Sequence, residues 1–342
     1  MKSEVLITGG GGYIGSHVVK KFLKEGHKVF VLDNFSTGFR QALDNLKKYG
    51  ELEVIEADLT DFEKVHQLFS QGPLKAAATV LHFAGALVVS ESMRDPRKYF
   101  INNLAGSVNL LESMKDAGIK NVIFSSTCAV YGDSQYVPMD EEHPLNPTNP
   151  YSESKLMVEK AIKWYADIFK LKYVIFRYFN VIGADHDSDI GYSSYPPTHL
   201  VPNAVRGTLG LAPFKVTCAN TFNTRDGTPV RDYVDVCDLA DAHYMAMLYL
   251  EKGGESDIFN LGTGRGYSVY EIIEQVEKLV GKKLDRSPGE ARPGEYSESF
   301  ANFGKASKKL GWKPAATLEK SIRNLVKWFE KNPNGFLEPQ VP

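Results

Sequence analysis

Tyr151 and Lys155 stand four positions apart in the string Pro150-Tyr151-Ser152-Glu153-Ser154-Lys155. On a helix that spacing puts both side chains on one face. An ammonium beside a phenol favours the phenolate, which predicts a Tyr151 pKa below the usual value of about 10. Such a tyrosine is a usable general base near neutral pH. The spacing also arises by chance on helices that do no chemistry. Its context favours chemistry: Pro150 stands where a helix starts, and Ser125-Ser126-Thr127 closes the preceding strand-like run, where α/β sites form. There the Thr127 hydroxyl can hydrogen-bond a reacting hydroxyl.

A second group is the run Gly9-Gly10-Gly11-Gly12-Tyr13-Ile14-Gly15, lying between a strand-like and a helix-like segment. Glycines at Gly9, Gly12 and Gly15 let the backbone turn tightly and approach a pyrophosphate at a helix N-terminus. The same glycines also fit a plain loop, but their placement after the first strand favours a dinucleotide. Asp33 follows 18 residues after Gly15 and ends the second strand-like run. A carboxylate there accepts from the adenosine ribose hydroxyls and repels a 2′-phosphate, which points to NAD rather than NADP. The alternative for Asp33 is a helix cap preceding Asn34.

The elements that must hold these groups are legible as apolar runs. Val5-Leu6-Ile7, Val29 to Leu32, Val54-Ile55, Val80 to Phe83, Val122 to Phe124 and Val174 to Phe176 are short, continuous and β-branched. Parallel strands covered on both faces have that character. Helical patterns lie between them. Val18, Val19, Phe22 and Leu23 form one face, with Gly26 as the stop; Pro96 to Ala117 is another helix, with Phe100, Leu104, Val108 and Leu111 on one face. The alternation predicts an α/β fold: a Rossmann-type doubly wound parallel sheet with a smaller, mixed α/β C-terminal substrate domain. After Asn180 the chain turns rich in Gly, Pro, Ser, Thr and Asp. This divides it into an NAD-binding domain over 1–180, to which some later segments return, and a smaller, loop-rich substrate domain over 181–342. Ser268 to Glu271 predicts a capped helix running to about Val280, and Leu318 to Phe329 another.

Composition narrows the classes. The 342 residues carry a formal net charge of −2, so no nucleic-acid or polybasic membrane partner is expected. Cys128, Cys218 and Cys237 are few and lack metal-ligand spacing, which fits a reduced, cytoplasmic chain. Met1 leads almost directly into a strand, so no signal peptide is expected. The longest apolar stretch, 76–89, is short for a membrane span and contains His82. His82 is expected to pack structurally, Met245-Ala246-Met247 with Tyr244 and Tyr249 to be core, and no metal site is expected.

Beyond these groups, further strings run through the chain: Leu32-Asp33-Asn34, His82-Phe83-Ala84-Gly85, Val130-Tyr131-Gly132, Arg177-Tyr178-Phe179-Asn180, Asp226-Gly227-Thr228, Val230-Arg231-Asp232-Tyr233, Asn260-Leu261-Gly262-Thr263-Gly264 and Asn332-Pro333-Asn334-Gly335. With them the sequence resembles the extended short-chain dehydrogenase/reductase family, and within it the UDP-glucose 4-epimerases, over nearly its whole length. The resemblance implies that Tyr13, Ile14, Asn34, Phe35, Ser36, Thr37, Gly38, Asp58, Leu59, Phe83, Ala84, Gly85, Asn102 and Phe179 join the glycines, Asp33, Tyr151 and Lys155 around NAD. It implies that Glu91, Ser92, Asn180, His199 and Leu200 meet a UDP-sugar with Thr127 and Tyr151. Arg231 and Arg292 would neutralise its pyrophosphate, with Glu295 and Ser299 at the sugar; taken alone, either arginine is a surface charge. It also implies a homodimer built on a helix bundle, and the helices from Pro96 and Tyr151 carry apolar Phe100, Leu104, Met157, Ala161 and Trp164 to build one. Five positions depart from the family pattern: Leu87 replaces a common Lys, Thr127 a Ser, Ser152 a Gly, His199 an Asn and Glu295 an Asp.

The implied activity is the reversible C4 epimerisation of UDP-glucose and UDP-galactose through a transient 4-keto sugar, with NAD tightly bound. Epimerisation of a UDP-pentose or UDP-uronate competes, because the core motifs hardly differ. A dehydratase or decarboxylase is disfavoured by Cys128 and Ala129, which occupy places where such enzymes carry acids. A non-catalytic NAD-binding regulator would not need Tyr151, Lys155 and Thr127. Ser299 aligns with a position that flanks the sugar pocket, and its small side chain predicts that N-acetylated UDP-hexoses are also accepted. The competing possibility is that Ser299 faces a loop while Tyr296 or Phe300 closes the pocket.

Overall fold

The computed structural model describes residues 2–194, 198–216, 222–286 and 297–336. Eleven strands are assigned among them: β1 (Val5–Thr8), β2 (Val29–Asp33), β3 (Leu52–Glu56), β4 (Thr79–His82), β5 (Asn121–Thr127), β6 (Lys172–Tyr178), β7 (Asn180–Ile182), β8 (Val230–Asp235), β9 (Asp257–Leu261), β10 (Gly266–Ser268) and β11 (Glu298–Ser299). Seven form one sheet in the order β3-β2-β1-β4-β5-β6-β9, parallel throughout. The chain winds outward from β1 to β3, then crosses to β4 on the other side of β1. That reversal opens a crevice at the C-terminal ends of β1 and β4.

The continuous apolar runs have a simple cause. Alternate strand residues face opposite sides of a sheet, and here both sides are covered. Val5, Ile7, Val29, Val31, Leu81, Ile123 and Val174 pack into one layer. Leu6, Phe30, Leu32, Val80, Val122, Phe124 and Ile175 pack into the other. β9 is the late segment that returns to this sheet, pairing Asp257–Leu261 with Val174–Tyr178. The smaller second sheet is centred on β8, with β10 antiparallel to it and β7 and β11 parallel.

The helices largely follow the sequence pattern. Tyr13–Lys24 buries Val18, Val19, Phe22 and Leu23, and Gly26 follows at φ +80°. Val269–Val280 starts on a capping box between Ser268 and Glu271. In Val236–Glu251, Ala246 and Met247 are fully buried. The helix expected over Pro96–Ala117 differs. It is built as Pro96–Tyr99, a π-helical turn over Phe100–Ala105, and Gly106–Ala117. A π turn holds an extra residue and so rotates the face that follows. From Tyr99 to Val108 the buried side chains are Tyr99, Asn103 and Ser107, while Phe100, Leu104 and Val108 are only half-buried; Leu111, expected on the apolar face, is buried with Leu110 and Met114. No helix among the described residues is long and apolar enough to cross a membrane.

Candidate active site

The glycine run forms the turn between β1 and the helix Tyr13–Lys24. Gly9 has φ +71°, and a Cβ there would lie 2.6 Å from the Ala84 nitrogen. A Cβ on Gly15 would overlap the Gly9 carbonyl oxygen. The Gly12 N–H donates to that same carbonyl (3.1 Å), and Gly12 caps the helix. No acidic side chain stands in the first turn, so the helix N-terminus keeps its positive character.

Asp33 ends β2 and is buried. Its two oxygens accept from the Gly11 and Phe35 N–H groups, each at 2.8 Å. It is therefore not a helix cap: it ties the glycine loop to 34–38. Burial raises its carboxyl above the usual range, against these two hydrogen bonds. Each oxygen retains a second lone pair for another donor. Asn34 donates to Asp58 (2.7 Å) and accepts from Ser36, while Phe35, at φ +56°, lies under the Arg40 guanidinium. Leu59 is buried beside them, and Thr37 and Gly38 complete the loop, with Gly38 held close against the Asp33 carboxylate.

Tyr151 and Lys155 lie in the first turns of the helix Pro150–Phe169, which Asn149 caps by accepting from the Ser152 N–H (3.0 Å). Thr127 ends β5, and its hydroxyl favours the Tyr151 phenolate. Lys155 is buried, and its Nζ donates to the Ser125 carbonyl at 2.9 Å. The expected lowering of the tyrosine pKa is not what the structure shows. Burial pushes the Tyr151 phenol up to about 12, more than the Thr127 hydroxyl offsets. Lys155 is itself pushed down to about 8 by burial, against the pull of the Glu159 carboxylate. Desolvation outweighs the pull of a neighbouring charge in so enclosed a place.

Phe83, Ala84 and Gly85 follow β4 and run between the glycine loop and the helix Pro150–Phe169. A Cβ on Gly85 would lie 2.9 Å from the Asn103 Oδ1 and 3.5 Å from the Lys155 Nζ. Asn102 lies on the π turn, half-buried. Phe179 is buried, its N–H donating to the Leu261 carbonyl. Two supports escaped sequence reasoning. Asn103 accepts from the Ala86 N–H (2.7 Å) and donates to the Ala86 carbonyl (3.0 Å) and the Ser154 hydroxyl (2.9 Å). Glu159 and Arg177 form a fully buried pair, with Ser126 also donating to Glu159. A polar residue on an otherwise apolar helix face was the available signal for both. His82 is structural as expected. Its Nδ1 meets the Thr8 hydroxyl (2.7 Å) and its Nε2 the Ser107 hydroxyl (2.8 Å), and burial lowers its pKa to about 3.

On the substrate side the implied residues are spread more widely. Glu91 and Ser92 sit on the short helix Val89–Ser92. The Glu91 carboxylate is engaged by Lys98 and by the Tyr99 hydroxyl, both at 2.8 Å. Ser92 is buried and donates to the Val89 carbonyl. Asn180 opens β7, opposite Tyr233. His199 immediately precedes the helix Leu200–Thr208, and its Nδ1 meets the Tyr192 hydroxyl at 2.8 Å. Arg231 and Ser299 are register partners on β8 and β11. Ser299 faces inward rather than toward a loop: its Oγ lies 3.7 Å from the Met139 sulfur and 4.0 Å from the Cys128 sulfur. Arg292, Glu295 and Tyr296 lie outside the described residues.

The model of the NAD dependent epimerase/dehydratase family matches residues 5–262. The chain belongs to that family. It is 42% identical over 333 residues to a UDP-glucose 4-epimerase of Lacticaseibacillus casei, covering 97% of this chain and 98% of the relative. Its fold matches the crystal structure of a UDP-glucose 4-epimerase from Bifidobacterium longum in complex with NAD+ and UDP. There the TM-score is 0.92 at 34% identity, covering 98% of this chain and all of that one. The UDP-Glc/GlcNAc 4-epimerase of Campylobacter jejuni matches with a TM-score of 0.82 at 36% identity, covering 96% of this chain and 100% of that one.

The residues present fit the cofactor that gives the NAD-dependent epimerase family its name. At Gly9 and Gly15 neighbouring backbone packs too closely to admit any side chain, which lets the loop turn tightly at a helix N-terminus free of acids. Asp33 supplies an acceptor at the end of β2, a poor seat for a 2′-phosphate.

Proposed function

We propose that this chain is a UDP-glucose 4-epimerase that interconverts UDP-glucose and UDP-galactose without net redox. The observation that carries the reading is Tyr151 and Lys155 on one helix, with the Lys155 Nζ tied to the Ser125 carbonyl of the strand that Thr127 ends, at the C-terminal edge of a sheet whose first turn suits a dinucleotide. Bound NAD supplies the acceptor and later the donor of the C4 hydride. Tyr151, in its phenolate form, takes the proton of the sugar 4-hydroxyl and returns it after the sugar has turned its other face. Thr127 orients that hydroxyl. Lys155 holds positive charge on the catalytic helix at neutral pH, and that charge favours the phenolate which burial opposes. Arg231 holds the diphosphate, so the handle stays bound while the sugar turns. Binding energy far from C4 thereby serves the reaction. Product analysis with UDP-hexoses, UDP-pentoses and UDP-uronates, without added NAD, tests the reading. Turnover of a pentose or uronate alone would replace the hexose assignment.

The pocket also accepts N-acetylated UDP-hexoses in this reading. Ser299 adds little bulk beside Met139 and Cys128. The wild-type protein is expected to interconvert UDP-N-acetylglucosamine and UDP-N-acetylgalactosamine. Ser299→Tyr must push into that wall, and overpacking costs about 1–3 kcal/mol. The variant is expected to lose the acetylated pair and largely spare UDP-galactose in a coupled assay. Equal loss on both substrates would remove Ser299 from the pocket wall.

The working form is a cytoplasmic homodimer. The helix Pro150–Phe169 leaves Trp164 66% and Ile168 61% exposed, and Ile101 on the neighbouring π turn is 42% exposed. A second copy covering them would bury an apolar stripe. Light scattering at micromolar concentration is expected to give a dimer, and Trp164→Lys a monomer. A wild-type monomer would end this assignment.

A further inference from the structure

β8 is buried along its whole length, and its one fully enclosed carboxylate, that of Asp232, is 0% exposed. Adjacent strand residues point to opposite faces, so Asp232 points away from its neighbour Arg231. Its oxygens accept from the Thr263 N–H (2.8 and 2.9 Å), the Thr263 hydroxyl (2.5 Å), the Gly264 N–H (2.9 Å) and the Ala301 N–H (3.1 Å). No cation is among these donors. Burial raises the Asp232 carboxyl above its usual range, against the same hydrogen bonds. A buried carboxylate held in this way is costly unless every donor is in place.

The donors come from separate parts of the molecule. Thr263 and Gly264 form the turn after β9, the last strand of the large sheet. Ala301 follows β11, which carries Ser299. Gly262 lets the turn close in, since a Cβ there would lie 2.5 Å from the Asp232 Oδ2. Ala301 also bridges to Met139, whose carbonyl accepts from Asn260, and Asn260 accepts from the Tyr131 hydroxyl just beyond Thr127. One carboxylate thus joins the large sheet to β8 and β11, next to Arg231 and near Ser299.

We propose that Asp232 is the positioning residue of the UDP-sugar site: it fixes the strand carrying Arg231, and the segment carrying Ser299, against the catalytic sheet. The inference rests on the reading of Arg231 as the diphosphate ligand. Asp232→Asn keeps the shape but turns an NH2 toward N–H donors. Thr263→Val removes a single hydroxyl donor and keeps the backbone.

Titrating the NAD-loaded protein with UDP tests this. Asp232→Asn is expected to weaken UDP binding roughly ten- to hundredfold, as for leaving buried donors unpaired. Thr263→Val, the milder change, is expected to weaken it by a smaller factor in the same direction. Bound NAD per chain and kcat at saturating substrate are expected to stay near wild type, the loss appearing in KM. In an Arg231→Ala background, Asp232→Asn is expected to add little, because the two act as one unit. Normal UDP affinity in both Asp232→Asn and Thr263→Val overturns the proposal. So does a joint loss of UDP, NAD and thermal stability, which marks a purely structural carboxylate. If Arg231→Ala itself leaves UDP binding unchanged, the diphosphate assignment fails instead, and the positioning of Arg231 falls with it. If Asp232→Asn does not fold, Thr263→Val decides by the same readouts.

Discussion

Tyr151→Phe is expected to give a folded, NAD-loaded protein whose turnover of UDP-galactose is lower by about 10²–10⁴-fold or more. The phenol oxygen is the group given the proton-transfer role, and its loss leaves the ring in place. Thr127 keeps its contact with the Ala129 N–H, from which it accepts at 3.2 Å, so the strand end is not disturbed. The ring still packs edge-on to Tyr99, with centroids 6.3 Å apart. Stability is therefore expected to change little, and the effect to appear in kcat. Single-turnover measurement of enzyme-bound NADH with UDP-glucose, alongside thermal unfolding, checks both halves. Near-normal turnover would remove Tyr151 from the chemistry; a collapsed unfolding temperature would make its role structural.

The site was legible where it depends on local pattern. Gly9, Gly12 and Gly15 sit next to each other in sequence, and so do Tyr151 and Lys155. Their spacing alone carries the geometry of a turn and of a helix face. The six strand-like runs became strands because both faces of a parallel sheet are covered, and that leaves continuous apolar segments. What escaped depends on contacts between distant segments. Asp33 was expected to serve a ribose, but the structure also makes it the clamp between Gly11 and Phe35. The buried side of the π turn at Phe100–Ala105 carries the polar Asn103, which an apolar periodicity passes over. The Tyr151 pKa went the other way because burial is a property of the assembled site. Asp232 was visible only as part of a string, since its donors at Thr263, Gly264 and Ala301 lie 31 to 69 positions away.

Gly15→Ala is expected to yield protein that loses its NAD during purification. The added methyl would overlap the Gly9 carbonyl oxygen and lie 3.0 Å from both the Gly10 Cα and the Gly9 carbonyl carbon. These neighbours are backbone, so they cannot rotate away as a side chain would. The helix Tyr13–Lys24 must instead move off the loop, and the approach of its N-terminus to a pyrophosphate is lost. Overpacking of this kind costs about 1–3 kcal/mol, roughly ten- to hundredfold in affinity. Gly12→Ala provides the graded comparison. Its Cβ would lie 3.2 Å from the same Gly9 oxygen, a contact that a small shift relieves. Denaturing each purified protein and assaying the released nucleotide is expected to rank wild type first, Gly12→Ala second and Gly15→Ala last. The nucleotide is expected to be NAD, because Asp33 closes the ribose side against a 2′-phosphate. Wild-type loading in Gly15→Ala would show that the loop does not hold the pyrophosphate, and NADP in the wild-type extract would undo the role given to Asp33.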